Sequence, residues 1–136
     1  MAQEEAIQFE KERVLLEKAQ KPSEVWQPLR RCRMVLDKIS EDSYSGIFQE
    51  PVSTTDFPDY EEYIDQPMDL GTIRTKVDNR KYQSPEQFAR DVRKVWNNCK
   101  IYNQHGSQIW HVADFFSKQF ERLFQSWVMG FRERHL

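Results

Sequence analysis

The stretch from Ser84 to Tyr102 constrains this chain's fold more than any other part of it. Ser84 offers a hydroxyl cap, and Gln87 stands three residues later. Pro85 fits the first helical position, where its missing N–H has no intrahelical partner. Phe88, Val92, Val95, Trp96, Cys99 and Tyr102 then recur on one face at the helical period. A helix with so broad an apolar stripe must bury it against other elements, and the rest of the sequence supplies only helices.

Val25, Leu29, Cys32, Leu36 and Ile39 stripe a helix starting near Ser23 or Gln27 and running to Ser40. Pro28 is tolerated there because it falls near the start. Asp69 caps a short helix carrying Leu70, Ile73 and Val77. Ser107 caps a last helix on which Ile109, Val112, Ala113, Phe116, Phe120, Leu123, Phe124 and Trp127 face inward, and Gly130 is placed to end it. Residues 2–20 read as helix by propensity, with a thin stripe of Ile7, Val14 and Leu15, and Lys21-Pro22-Ser23 interrupts them. No segment joins strand alternation to turn signals, and there is no internal repeat. The expected fold class is all-α: a four-helix bundle over 23–130, an N-terminal helical extension over 1–22 and a polar tail over 131–136.

The link between the first two bundle helices, Glu41 to Pro67, shows no helical period and exceeds the usual limit of about 15 structureless residues. It is nevertheless rich in apolar side chains: Tyr44, Ile47, Phe48, Val52, Phe57, Tyr60, Tyr63 and Ile64. A loop so composed is expected to pack onto the bundle. It is also acidic, and no Lys or Arg falls between Glu41 and Ile73. Two readings stand side by side: a solvated loop, or a rim that attracts a basic peptide.

Catalytic constellations are poor. His105, His111 and His135 have no zinc-ligand spacing, and Cys32 and Cys99 form no CxxC. Cys99 lies on the buried stripe, so it reads as a core cysteine rather than the thiol of a Cys99–His105 pair. There is no phosphate-cradling glycine loop and no nucleophile elbow. Neither metal nor cofactor is expected. A net charge of −2 gives no global reason to expect nucleic-acid binding, and no apolar run is long enough to span a bilayer. The charged N-terminus does not read as a signal peptide, and a reduced intracellular setting fits the cysteine usage.

One position invites a ligand. Asn103 ends the Ser84 helix, where Asn commonly adopts a left-handed conformation. Its neighbours offer a second reading. Tyr102 and Ile109 flank it, and the long loop brings Val52, Phe57 and Tyr60. A primary amide at the floor of an apolar, aromatic-walled slot suits a neutral amide ligand, whereas an ammonium would lose its hydration there.

Several stretches carry a resemblance in matching order and spacing: "FQEPV" (48–52), "FPDYEEYIDQPMDLGTI" (57–73), "Y-x-S" (82–84), "F-x-x-D" (88–91), "NNCKIYN" (97–103) and "GSQI" (106–109). From about Val25 to Trp127 the chain resembles the bromodomains, left-handed four-helix bundles that read acetyl-lysine, typically on histone tails. The resemblance implies that Asn103 donates to the acetyl carbonyl and that Tyr60 reaches the same oxygen through a water. It implies that Val52 and Phe57 line the loop side, Tyr102 the helix side, and Ile109 the mouth. Phe48 would pack on the acetyl methyl, Cys99 would sit near the floor, and Pro67-Met68 would fix the loop's return. It further implies nuclear location, no enzymatic activity, and membership of a larger protein or complex. One departure is plain: many family members carry Trp-Pro-Phe where this chain has Gly46-Ile47-Phe48. The rival expectation is a helical interaction or oligomerisation bundle without acetyl-lysine binding. A hydrolase is the third, lacking a nucleophile–base pair.

Overall fold

The computed structural model describes residues 26–134. The expected N-terminal extension over 1–22, and Val25 with it, lie outside the described residues. Helix α1 spans Trp26–Ser40, α2 Tyr60–Tyr63, α3 Leu70–Asp78, α4 Pro85–Tyr102 and α5 Gln108–Phe124. A π-helical turn, Gln125–Met129, joins α5 to α6, Gly130–Arg134. There is no strand among the described residues, so the all-α expectation holds.

The caps act as their residue types dictate. Ser84 Oγ accepts the N–H of Gln87 at 3.3 Å, and Gln87 Oε1 reaches back to the N–H of Gln83 at 2.8 Å. Both bonds satisfy donors that lack an intrahelical partner. Asp69 caps α3 through the N–H of Thr72 at 2.9 Å, and Ser107 caps α5 through the N–H of Trp110 at 3.4 Å. Between α4 and α5 the chain turns at Gly106 with φ +81, a conformation in which a side chain would be strained.

The stripes meet in one core. Phe88, Trp96, Phe116 and Phe120 are completely buried. Trp96 stacks on Phe116 at 5.6 Å between ring centres, and Phe120 on Phe124 at 5.4 Å. One buried acid is held inside this frame. Asp91 accepts from Tyr82 Oη at 2.7 Å, Lys76 Nζ at 2.6 Å and Lys94 Nζ at 3.2 Å, tying α3 and the turn after it to α4. Burial pushes the Asp91 carboxyl up, but the three donors outweigh it and the net is below the ordinary carboxylate value. The Y-x-S and F-x-x-D stretches therefore meet through their Tyr82 and Asp91 side chains.

Two expectations need correction. Gly130 does not end the last helix. Its φ of −62 is right-handed, not the left-handed value of a glycine cap, and the helix runs on to Arg134. The reason is Phe131, which is buried under the guanidinium of Arg31 with 3.9 Å from Cζ to the ring centre. Residues 131–134 are therefore helical rather than part of a polar tail. The π turn sits where α1 crosses, and the carbonyl of Trp127 within it accepts from Arg31 Nε at 2.5 Å.

The second correction concerns the long link. It is not structureless. Ser43–Phe48 forms a 3-10 turn capped by Asp42, which accepts the N–H of Tyr44 at 2.9 Å, and Tyr60–Tyr63 makes one α turn. Phe48, Tyr60 and Ile64 are buried, as packing of the loop onto the bundle requires. Tyr44, Ile47, Val52, Phe57 and Tyr63 remain exposed.

Candidate functional site

Between the long link and the α4–α5 end of the bundle lies a cavity of about 420 Å³, within the range of small-ligand sites. Phe48, Val52, Phe57, Tyr60, Cys99, Tyr102, Asn103 and Ile109 all line it. Every candidate site residue named from the sequence is thus on one concave surface, although they come from three stretches of chain.

The wall on the loop side is built by anchoring. Phe48 is buried, edge-on to Trp96 at 5.1 Å and to Phe116 at 5.9 Å. The next residue, Gln49, is fixed through both its side chain and its backbone. Its amide donates to Ser40 Oγ at 3.1 Å and Ser45 Oγ at 3.3 Å, and its carbonyl accepts the N–H of Gly71 at 3.0 Å. Further on, Asn98 Nδ2 donates to the carbonyl of Gln66 at 2.8 Å, pinning the loop just before Pro67. Met68 then lines the cavity.

Tyr102 is the hub of the helix side. Its ring meets Tyr60 at 4.9 Å, Phe57 at 6.0 Å and Tyr63 at 6.0 Å. Its hydroxyl donates to Asp59 Oδ1 at 2.6 Å. Asp59 precedes α2 in the cap position but makes no side-chain cap bond; the carboxylate serves Tyr102 instead. That bond, with lesser help from burial and the Asp59 charge, holds the Tyr102 phenol up at about 12.

Asn103 follows α4 with φ −93 and ψ 154, which is extended backbone. The left-handed helix-end reading is therefore wrong for this residue, and its side chain has another role. Nδ2 donates to the carbonyl of Cys99 at 2.9 Å. That bond also settles which end of the amide is nitrogen, because the amide oxygen would face another acceptor there. A primary amide has two N–H groups, so one is held by Cys99 and the other can serve a ligand. Nδ2 lies 3.6 Å from Cys99 Sγ, a weak contact.

The floor is electrically neutral. Burial pushes the Tyr60 phenol up, with a smaller contribution from Cys99. Burial also pushes the Cys99 thiol up, against the Asn103 hydrogen bond and the Lys100 charge. Each keeps its proton at neutral pH. The acids that line the cavity, Glu50 and Asp56, are exposed at its rim. Ile109 sits at the mouth and is 36% exposed, so it is a rim residue and not part of the inward core stripe. Trp110, off the stripe, packs at 4.4 Å on His105 with Lys100 Nζ 4.8 Å above its ring.

Sequence reading gave Glu50, Asp56 and Asp59 a role only together, as acids of the rim that attracts a basic peptide, and gave Val95 no binding role. Asp59 carried a signal, lying directly before Tyr60 in a stretch quoted for its resemblance. Val95 carried none beyond its place on the core stripe.

Comparison with known proteins gives one consistent family. The bromodomain family model matches residues 32–114. The chain is 38% identical over 104 residues to the Arabidopsis thaliana protein named transcription factor GTE3, chloroplastic, covering 75% of this chain and 22% of that protein. It is 36% identical over 88 residues to nucleosome-remodeling factor subunit NURF301-like of Caenorhabditis elegans, covering 65% and 4%. It is 34% identical over 114 residues to bromodomain-containing factor 1 of Saccharomyces cerevisiae, covering 80% and 16%. The chain spans less than a quarter of each of these relatives. Among solved structures, the second bromodomain of Candida albicans Bdf1, bound to an imidazopyridine, superposes with a TM-score of 0.66 at 31% identity, covering 71% of this chain and 96% of that one.

Proposed function

This chain belongs to the bromodomain family, and on that premise we propose that its slot reads acetyl-lysine in peptides by the residues just described. The observation that carries the assignment is the Asn103 carboxamide, oriented by the Cys99 carbonyl within a cavity whose floor carries no charge. Asn103 Nδ2 donates its second hydrogen to the acetyl carbonyl. Tyr60 reaches the same oxygen through a water. Phe48 packs on the acetyl methyl, with Cys99 at the floor. Val52 and Phe57 hold the side-chain stem from the loop side, Tyr102 from the helix side, and Ile109 guards the mouth. An unmodified lysine is excluded because the floor offers its ammonium no counter-charge and few acceptors, while removing its hydration.

The partners are acetylated peptides, with histone tails the natural class for a chain whose relatives are named as transcription and nucleosome-remodelling factors. The work is binding without turnover, inside the nucleus and as part of a larger protein. Isothermal titration with acetylated and unmodified versions of one peptide tests the reading. Asn103→Ala removes one hydrogen bond to a buried carbonyl, worth about 1–3 kcal/mol, so the dissociation constant rises roughly five- to 150-fold. Tyr60→Phe weakens binding less, because its contact runs through water. Equal affinity for acetylated and unmodified peptide would refute the assignment.

A further inference from the structure

The slot has a gap in its loop-side wall. Gly46 lines the cavity, yet a Cβ added there would meet no atom within 4 Å. Its neighbour Ile47 also lines the cavity and is 55% exposed, an apolar surface open to the solvent. Glu50 and Asp56 stand on the same wall. Neither forms an ion pair among the described residues. Outside this loop, by contrast, Asp91 is paired with Lys76 and Lys94, Asp114 with Lys100 and Lys118, Glu121 with Arg93, and Glu86 with Arg132. Since no Lys or Arg occurs between Glu41 and Ile73, the loop itself supplies no cation to this wall.

We propose that this gap seats a second side chain of the bound peptide, an arginine near the acetyl-lysine. The inference rests on the acetyl-lysine reading and specifies its ligand further. The occupant must combine a long apolar stem, to cover Ile47 in the space Gly46 leaves open, with a positive head, to meet Glu50 and Asp56. Arginine joins both, and its weakly hydrated planar fork pairs with carboxylates through two hydrogen bonds. An acidic residue is repelled there, and a short one leaves Ile47 uncovered. Gly46 is then a specificity-determining residue, because any large side chain at that position occupies the stem's place.

Peptides with one acetyl-lysine, and arginine or citrulline at each of the three positions on either side, test this by titration calorimetry. Citrulline keeps the stem and removes the charge. At the favoured position the arginine peptide binds about two- to fivefold tighter than its citrulline twin, as an exposed ion pair allows. The ratio falls to one in the Glu50→Gln, Asp56→Asn double variant and shrinks in Gly46→Trp. The double variant alters only exposed side chains, so it decides the matter even if Gly46→Trp folds poorly. Equal twins at every position, or a ratio that survives both variants, would overturn this inference alone. Loss of the difference between acetylated and unmodified peptide would overturn the acetyl-lysine reading and this inference with it.

Discussion

Replacing Gly71 with alanine should damage the fold and the slot together, and the coordinates give the size of the effect. Gly71 is the second residue of α3, and its N–H donates to the Gln49 carbonyl at 3.0 Å. A Cβ at Gly71 would stand 2.4 Å from that same oxygen. Tolerable carbon–oxygen contacts begin near 3.3 Å, so about 1 Å of movement is required. The obstructing atom is backbone and cannot rotate away. Forcing the atoms apart costs about 1–3 kcal/mol, and the strained hydrogen bond adds roughly 0.5–1.5 kcal/mol. Alanine's better helix propensity offsets at most about 1 kcal/mol. The net is a destabilisation of about 1–3 kcal/mol, or a fall in melting temperature of roughly 4–12 °C for a chain of this size. Gln49 leads directly into Glu50, Pro51 and Val52 of the slot wall, so acetyl-lysine affinity falls as well. Gly46→Ala is the internal control. Its Cβ meets nothing, its φ is not in the left-handed region, and the loss of unfolded-state freedom makes it neutral or stabilising by up to about 1 kcal/mol. Differential scanning calorimetry on both variants decides the issue. A Gly71→Ala protein that melts at or above the parent temperature would refute the packing argument.

Two further outcomes follow from titratable groups. The folded-state pKa of Asp91 lies below its ordinary value, so the unfolded chain takes up this proton first. Its stabilising contribution is present above pH about 4 and is lost as pH falls through the folded value. Acid unfolding followed by circular dichroism should therefore show a shallower pH dependence in Asp91→Asn than in the parent, and identical slopes would count against it. Tyr60, Tyr82 and Tyr102, three of the chain's five tyrosines, have phenols pushed above their ordinary value, by burial at Tyr60 and Tyr82 and chiefly by the Asp59 bond at Tyr102. A raised acid pKa gives stability that is complete below pH about 10, and for Tyr102 it is lost as pH rises through about 12. Alkaline absorbance titration should show Asp59→Ala moving one tyrosine to lower pH and weakening acetyl-lysine binding a few-fold; an unchanged curve would mean that Asp59 does not hold Tyr102.

Much of this was legible in residues because periodicity and capping are local. Ser84, Asp69 and Ser107 each bond a backbone N–H three residues on, and that geometry can be read from sequence alone. The apolar link from Glu41 to Pro67 announced that it would pack, but not how. Its order depends on partners far along the chain, Gln49 on Gly71 and Gln66 on Asn98, and no periodicity encodes such pairs. Gly130 shows the opposite failure. A glycine near a helix end ordinarily signals a stop, yet burial of Phe131 against Arg31 outweighs the local preference. Ile109 and Tyr102 continue apolar stripes in sequence but stand at the mouth and the wall of a cavity, because those stripes run past the end of the core. Asp59 stands at the cap position of α2 but accepts from Tyr102, 43 residues later, a pairing that no local pattern encodes.

An acidic rim above a neutral floor attracts free lysine as well, since that side chain is a cation, but magnitudes separate the two steps. At the exposed rim the medium is close to water, and two unit charges 4 Å apart gain only about 1 kcal/mol. On the proposed reading Glu50 and Asp56 concentrate any basic peptide at the mouth and speed its encounter, acetylated or not. Entry to the floor is a different transfer. There Tyr60 and Cys99 keep their protons and Asn103 offers a donor, so an ammonium would surrender its hydration for no anion, at a cost of several kcal/mol. The rim's attraction cannot offset that. Acetylation removes the charge from the one side chain that must leave water and leaves the peptide's other cations for the rim, so encounter and selection are carried by different residues and can be altered independently.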